Sequence, residues 1–185
     1  MGIAHSAAVT FGKALGSVHA GAHKLASRKL ELGNLTSIVV TSDAFANGNP
    51  LPLASTADGE GTPPHLDWLG VPSNARSVAV VVEDPDAPFP RPFVHWLVYD
   101  LDPSVSTIDI RHGIPGREGK NSMMKVGFTP AAPPPGHGLH RYYFQIFALD
   151  TVLGLEEGAG RSALLAAMRG HVVAWGLLVG TYERR

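Results

Sequence analysis

Ser77-Val78-Ala79-Val80-Val81-Val82-Glu83 holds five consecutive apolar residues, four of them valine, between two polar ones. β-Branched side chains fit a pleated surface better than a helix, so the run is expected to be a strand. It lacks the polar alternation of a strand with one wet face, which predicts cover on both faces and a central place in a sheet. On either side the texture stays β-like. Leu35 to Thr41, Phe93 to Leu101 and His140 to Leu149 are further strand candidates, and 15 Pro with 21 Gly supply turns between short runs. Asn47 to Pro64, rich in Gly and Pro, is expected to be a long surface connection.

Helical spacing occurs at the two ends. Ala8, Phe11, Leu15, Val18, Ala22 and Leu25 recur at intervals of three and four, predicting one amphipathic helix whose other faces carry Lys13, Lys24, Arg28 and Lys29. That stripe must be covered by its own domain, by a second subunit or by a membrane interface, unless the arm is disordered; a homodimer is the expectation taken here. Leu164, Leu165, Met168 and Val172 predict a second helix over Arg161 to Trp175, after the breaker Gly158-Ala159-Gly160, and Trp175 to Tyr182 a last strand. The expected fold is mainly β: an antiparallel sandwich of a large central sheet and a smaller one, with an N-terminal and a C-terminal helix.

Composition narrows the function. A chain of 185 residues suits one domain with one core. Its formal net charge of −1 offers no basic excess for nucleic acid. With no Cys there are no disulfides or thiolate sites, which is compatible with the cytoplasm. No apolar run approaches the roughly 20 residues of a membrane span, and Lys13, His19, His23 and Lys24 interrupt any signal-like stretch. A soluble protein without stable membrane insertion is expected.

Polar chemistry gathers at the strand ends. Asp84-Pro85-Asp86-Ala87-Pro88 leaves the valine strand through a proline-stiffened turn; either carboxylate alone is as readily a turn cap as a ligand contact. The two-residue period puts His95 on one face with Phe93, Leu97 and Tyr99, where a lone His is more often a satisfied core residue. The same period puts His140 and Tyr142 on one face, roughly 7 Å apart along the strand, close enough to grip one small ligand. The loop Ala132-Pro133-Pro134-Pro135-Gly136-His137-Gly138 offers backbone N–H groups that an anion can approach.

These blocks, joined in order with Thr62-Pro63-Pro64-His65-Leu66-Asp67-Trp68, Val71-Pro72, His95-Trp96-Leu97-Val98 and the ending from Gly170-His171-Val172 to Gly180-Thr181-Tyr182, resemble the phosphatidylethanolamine-binding protein family. That family includes the Raf kinase inhibitor proteins, and the similarity is to its bacterial and archaeal branch. It covers about Leu35 to Arg185, dividing the chain into a helical extension, 1–34, and a binding domain, 35–185. The resemblance implies an anion pocket built from Asp84, Asp86, Pro88, His95, Pro134, Gly136, His140 and Tyr142, which takes phosphate or a phospholipid head group. It also implies a cis Ala87–Pro88 bond. Phe93 and Val94 stand where mammalian members have Trp and a second His, and Pro135 where a Lys is common, so the mammalian kinase role does not transfer on fold alone.

The expected function is a noncatalytic binder of a small anion or head group, with His95, His140 and Tyr142 as donors and no cofactor or metal. Two other readings compete: a ligand-controlled inhibitor or regulator of a kinase or protease, and a hydrolase using His and Asp. The sequence contains no Gly-x-Ser-x-Gly elbow, His-Glu-x-x-His pair or Walker loop, which leaves the hydrolase without a recognisable nucleophile. A metal held by Asp84, His95 and His140 is the lesser alternative for the cluster.

Overall fold

The structure is a computed structural model and describes residues 2–33 and 35–184; the expected boundary residue Asn34 and the termini Met1 and Arg185 lie outside the described residues. In chain order the elements are α1 (Gly2–Ala14), α2 (Ala26–Lys29), β1 (Thr36–Ser37), β2 (Val39–Thr41), β3 (Leu66–Leu69), β4 (Ser77–Asp84), β5 (Phe93–Leu101), β6 (Thr107–Ile108), β7 (Arg117–Glu118), β8 (His140–Leu149), α3 (Arg161–Met168) and β9 (Val172–Tyr182), with short 3-10 turns between them. A six-stranded sheet runs β1-β9-β8-β4-β5-β7 and a three-stranded sheet runs β2-β3-β6.

Every residue of β4 is buried, as its unbroken apolar run requires. Val78, Val80 and Val82 face the small sheet, packing in one core with Trp96, Phe144, Leu66 and Trp68. Ala79 and Val81 face the other way, into a second core closed by Leu164, Leu165 and Met168 of α3 and by Ala26 and Leu30 around α2. Each fully buried Val or Leu side chain stabilises the fold by about 1.5–3 kcal/mol.

Three details differ from the sequence reading. The Leu35 to Thr41 segment splits at buried Ile38: β1 joins β9 in the large sheet and β2 joins β3 in the small one, so a single stretch serves both layers. β1 runs parallel to β9, which makes the large sheet mixed at this edge rather than purely antiparallel. At the C-terminal end the helix stops at Met168, because Gly170 at φ 81° reverses the chain, and Val172 to Trp175 enters β9.

The N-terminal stripe is also not one helix. α1 ends at Ala14, Val18 is exposed, and the chain continues in turns to α2. The reason lies in its backbone partners: Ala20 N–H donates to Ala87 O at 3.1 Å and Gly21 N–H to Pro85 O at 2.9 Å. A helix through these residues would keep those donors for itself. No helix among the described residues is long and apolar enough to cross a membrane.

Candidate functional site

β4 and β8 pair over Ser77 to Glu83, which brings the carboxyl end of one beside the start of the other. Asp84 Oδ1 accepts the N–H groups of Asp86 (2.8 Å) and Ala87 (3.1 Å), holding the turn that Pro85 starts. Its Oδ2 faces His140 Nδ1 at 2.6 Å, and both side chains are almost wholly buried. All peptide bonds among the described residues are trans, Ala87–Pro88 included, so the expected cis bond is corrected. Asp84 already closes this turn through two backbone donors.

His140 Nε2 lies 2.7 Å from His137 Nδ1, and His137 Nε2 lies 2.8 Å from the carbonyl of Leu15. A carbonyl can only accept, so His137 donates from Nε2. The His–His contact and the His140–Asp84 contact each need a further proton. Three side chains thus hold three protons in line, one more than two neutral imidazoles carry, and the buried Asp84-His140-His137 relay is neutral as a whole. Both ring nitrogens of His140 are committed to protein partners. It therefore cannot be a ligand donor, as the sequence reading had it, or a metal ligand, without breaking the relay.

His95 reaches the site through a bulge. Val82 pairs with Trp96 but Glu83 with Val94, so His95 is the extra residue on β5. The bulge breaks the two-residue period: Val94 turns to the face of Leu97 and Tyr99, while the His95 ring packs at 4.8 Å from Phe93 and 5.1 Å from Tyr142, measured between ring centroids. Its Nδ1 donates to Thr129 O at 2.8 Å, and Nε2 has no partner among the described residues. Burial holds the His95 pKa below the usual 6.5, against the opposing pull of Thr129 O and Asp84. The neutral ring therefore presents a bare acceptor nitrogen.

Unfolded His95 takes a proton near pH 6.5 and folded His95 only at lower pH, so its contribution is complete above 6.5 and is lost as pH falls below it, by at most about 1.4 kcal/mol per pH unit. Urea unfolding of wild type and His95→Gln between pH 7.5 and 5.5 is expected to show the steeper acid loss in wild type. Parallel curves would remove His95 from this role.

Asp84, Pro88, His95, Pro134, His140 and Tyr142 line one cavity of about 530 Å³. Asp86 and Gly136 do not. Asp86 grips Arg141 instead, taking its backbone N–H (2.9 Å), Nε (2.8 Å) and Nη2 (2.6 Å). Burial raises the Asp86 pKa, but these bonds and the guanidinium charge more than offset it and hold the carboxyl below its usual range. Gly136 N–H donates to Arg184 O and His137 N–H to Pro134 O, so these two backbone donors of the proline-rich loop are engaged.

What remains for a ligand is small and deep. Tyr142 is 2 % exposed, its Oη has no hydrogen-bond partner among the described residues, and burial followed by the Asp84 charge pushes its pKa up, so it stays a neutral donor. His95 Nε2 is the second free polar group. Apart from Asp84, Thr129 and His140 the rest of the wall is apolar, and part comes from a quarter that the sequence reading missed: Phe11 and Leu15 of the N-terminal segment. His137 was also missed; its spacing of three from His140 in a glycine-flanked turn was the available signal. No group of three or more His, Asp or Glu side chains among the described residues is placed to hold a metal ion.

A two-sheet β fold with a cavity at the ends of its central strands places the chain among the β-sandwich proteins. A family model described as phosphatidylethanolamine-binding protein matches residues 41–183, and the chain belongs to that family. A UPF0098 protein of Chlamydia muridarum is 42 % identical over 149 residues, covering 78 % of this chain and 98 % of the relative. Among solved structures, a phosphatidylethanolamine-binding protein homologue from Chlamydia trachomatis superposes with a TM-score of 0.76 at 40 % identity, covering 81 % of this chain and 99 % of that one. YbcL of Escherichia coli, described as a member of the mammalian family, superposes at 0.74 with 28 % identity, covering 80 % and 99 %.

Proposed function

We propose that the chain is a noncatalytic binding protein whose cavity takes an oxyacid, a phosphate or the phosphate end of a head group, between Tyr142 Oη and His95 Nε2. The observation that carries this reading is the orphaned Tyr142 hydroxyl. A buried donor left unmade costs about 1–3 kcal/mol, and a ligand oxygen removes that cost. His95 adds a selection rule. Its free nitrogen is an acceptor, so the complex needs one proton between His95 and the ligand oxygen, brought by either partner.

Binding supports catalysis poorly here. The partners of His140 are Asp84 and His137, so no hydroxyl nucleophile sits on the relay. The relay instead stiffens the wall beside the ligand.

Calorimetric titration with phosphate and phosphoethanolamine from pH 5.5 to 8 tests the reading. Affinity is expected to fall as pH rises, with proton uptake visible as a buffer-dependent heat, the opposite sign to the stability dependence on His95. Absence of binding across the range would contradict it.

A further inference from the structure

The cavity is far larger than its polar end requires. Its volume of about 530 Å³ belongs to the range that holds a drug-sized molecule, and a lone phosphate fills only a minor part. Polarity is graded along it. Tyr142 and His95, at 2 % and 4 % exposure, lie deep, whereas Phe11, Phe89 and Met123 at the mouth are 64 %, 50 % and 57 % exposed.

The mouth is built partly by the segment from α1 to Gly21, which precedes the family match at residue 41. Four hydrogen bonds seat it on the site. Ala20 N–H and Gly21 N–H donate to Ala87 O and Pro85 O, His19 Nδ1 donates to Asp86 O at 2.9 Å, and His137 Nε2 donates to Leu15 O. Two glycines allow backbone contact between α1 and the proline-rich loop. A Cβ on Gly12 would stand 2.0 Å from Pro135 O, and one on Gly136 2.9 Å from Val9 O. Larger residues at either position would lift the helix away.

We infer that this N-terminal segment is a specificity wall: with Phe11 and Leu15 it turns an anion pocket into a site for an amphiphilic oxyacid, an alkyl or aryl phosphate with its acid end on Tyr142 and its apolar body against the segment. The inference rests on the oxyacid reading above and adds the apolar half of the ligand. A polar body would have to be desolvated against Phe11, Leu15, Phe93 and the loop prolines without hydrogen-bond partners, which disfavours sugars and free nucleosides.

The test is calorimetry on the 185-residue chain with n-alkyl phosphates from methyl to hexyl. Wild type is expected to bind about fourfold more tightly for each methylene buried in the cavity. In a Phe11→Ala, Leu15→Ala double variant, and independently in Gly12→Leu, the gain per methylene is expected to fall below about twofold, each variant being compared with its own methyl phosphate value. A wild type that binds methyl phosphate but shows no gain with chain length would overturn the inference and leave the oxyacid reading standing. So would equal slopes in wild type and both variants. Failure of every phosphate to bind would overturn both.

Discussion

Replacing Asp84 with alanine is expected to lower folding stability by about 3–5 kcal/mol, the usual loss when one partner of a buried ion pair is removed. Asp84 is 3 % exposed and serves three donors, the N–H groups of Asp86 and Ala87 and Nδ1–H of His140. Alanine satisfies none of them, and the extra proton of the histidine relay is left in a buried site without its counter-charge. Asp84→Asn keeps an oxygen for the turn and loses the charge and the bond to His140, because its amide NH2 would stand where Oδ2 accepts from Nδ1–H, so its loss is expected to be the smaller one. Urea unfolding of both variants at pH 7 checks this; a loss under about 1 kcal/mol for alanine would place the relay proton elsewhere.

Glu83→Ala is expected to be as damaging on the opposite face of the sheet, again by about 3–5 kcal/mol. Glu83 is fully buried; its Oε2 accepts Ala26 N–H and Gln145 Nε2–H, each at 2.8 Å, and its Oε1 pairs with Arg161 Nε. Gln145 Oε1 in turn accepts Ser27 N–H at 3.0 Å, and Arg161 Nη2 donates to Lys24 O at 2.7 Å. This network fastens α2 to the large sheet and α3 to the same anchor. Hydrogen exchange is expected to show the Ala26 and Ser27 amides losing protection first. Glu83→Ala and Arg161→Ala are expected to be strongly non-additive when combined, since each already leaves the other charge unpaired. Simple additivity would contradict the shared network.

Much of this architecture was legible in the sequence, and the parts that were not share a cause. The valine run of β4, the aromatic strands β5 and β8 and the pairing of His140 with Tyr142 on one face all follow from local periodicity. The start of α3 also does, while its end at Met168 turns on the backbone angle of Gly170. His95 was assigned to the wrong face because a bulge is set by pairing with the neighbouring strand, which a single strand's pattern cannot record. Asp86 reads in the sequence as a pocket residue, yet its partner Arg141 lies 55 positions away, and only the fold joins them. The N-terminal stripe was real as a list of apolar residues and misleading as a helix. Its hydrogen bonds to the β4–β5 turn are long-range, and they divide it into a short helix and a strap fastened to that turn. Glu83 passed as the polar end of a strand, with nothing nearby in sequence to mark it as the centre of a buried network.

The proposed binding of an oxyacid through the Tyr142 hydroxyl is tested most directly by measuring stability and affinity together in Tyr142→Phe. Without ligand, phenylalanine removes a buried donor that has no partner, so the variant is expected to be as stable as wild type or about 1 kcal/mol more stable. Its affinity for phosphoethanolamine at pH 6 is expected to fall by about 10- to 100-fold, the loss of one hydrogen bond to a charged group. A variant that is clearly destabilised without ligand, or that binds as tightly as wild type, would contradict the claim.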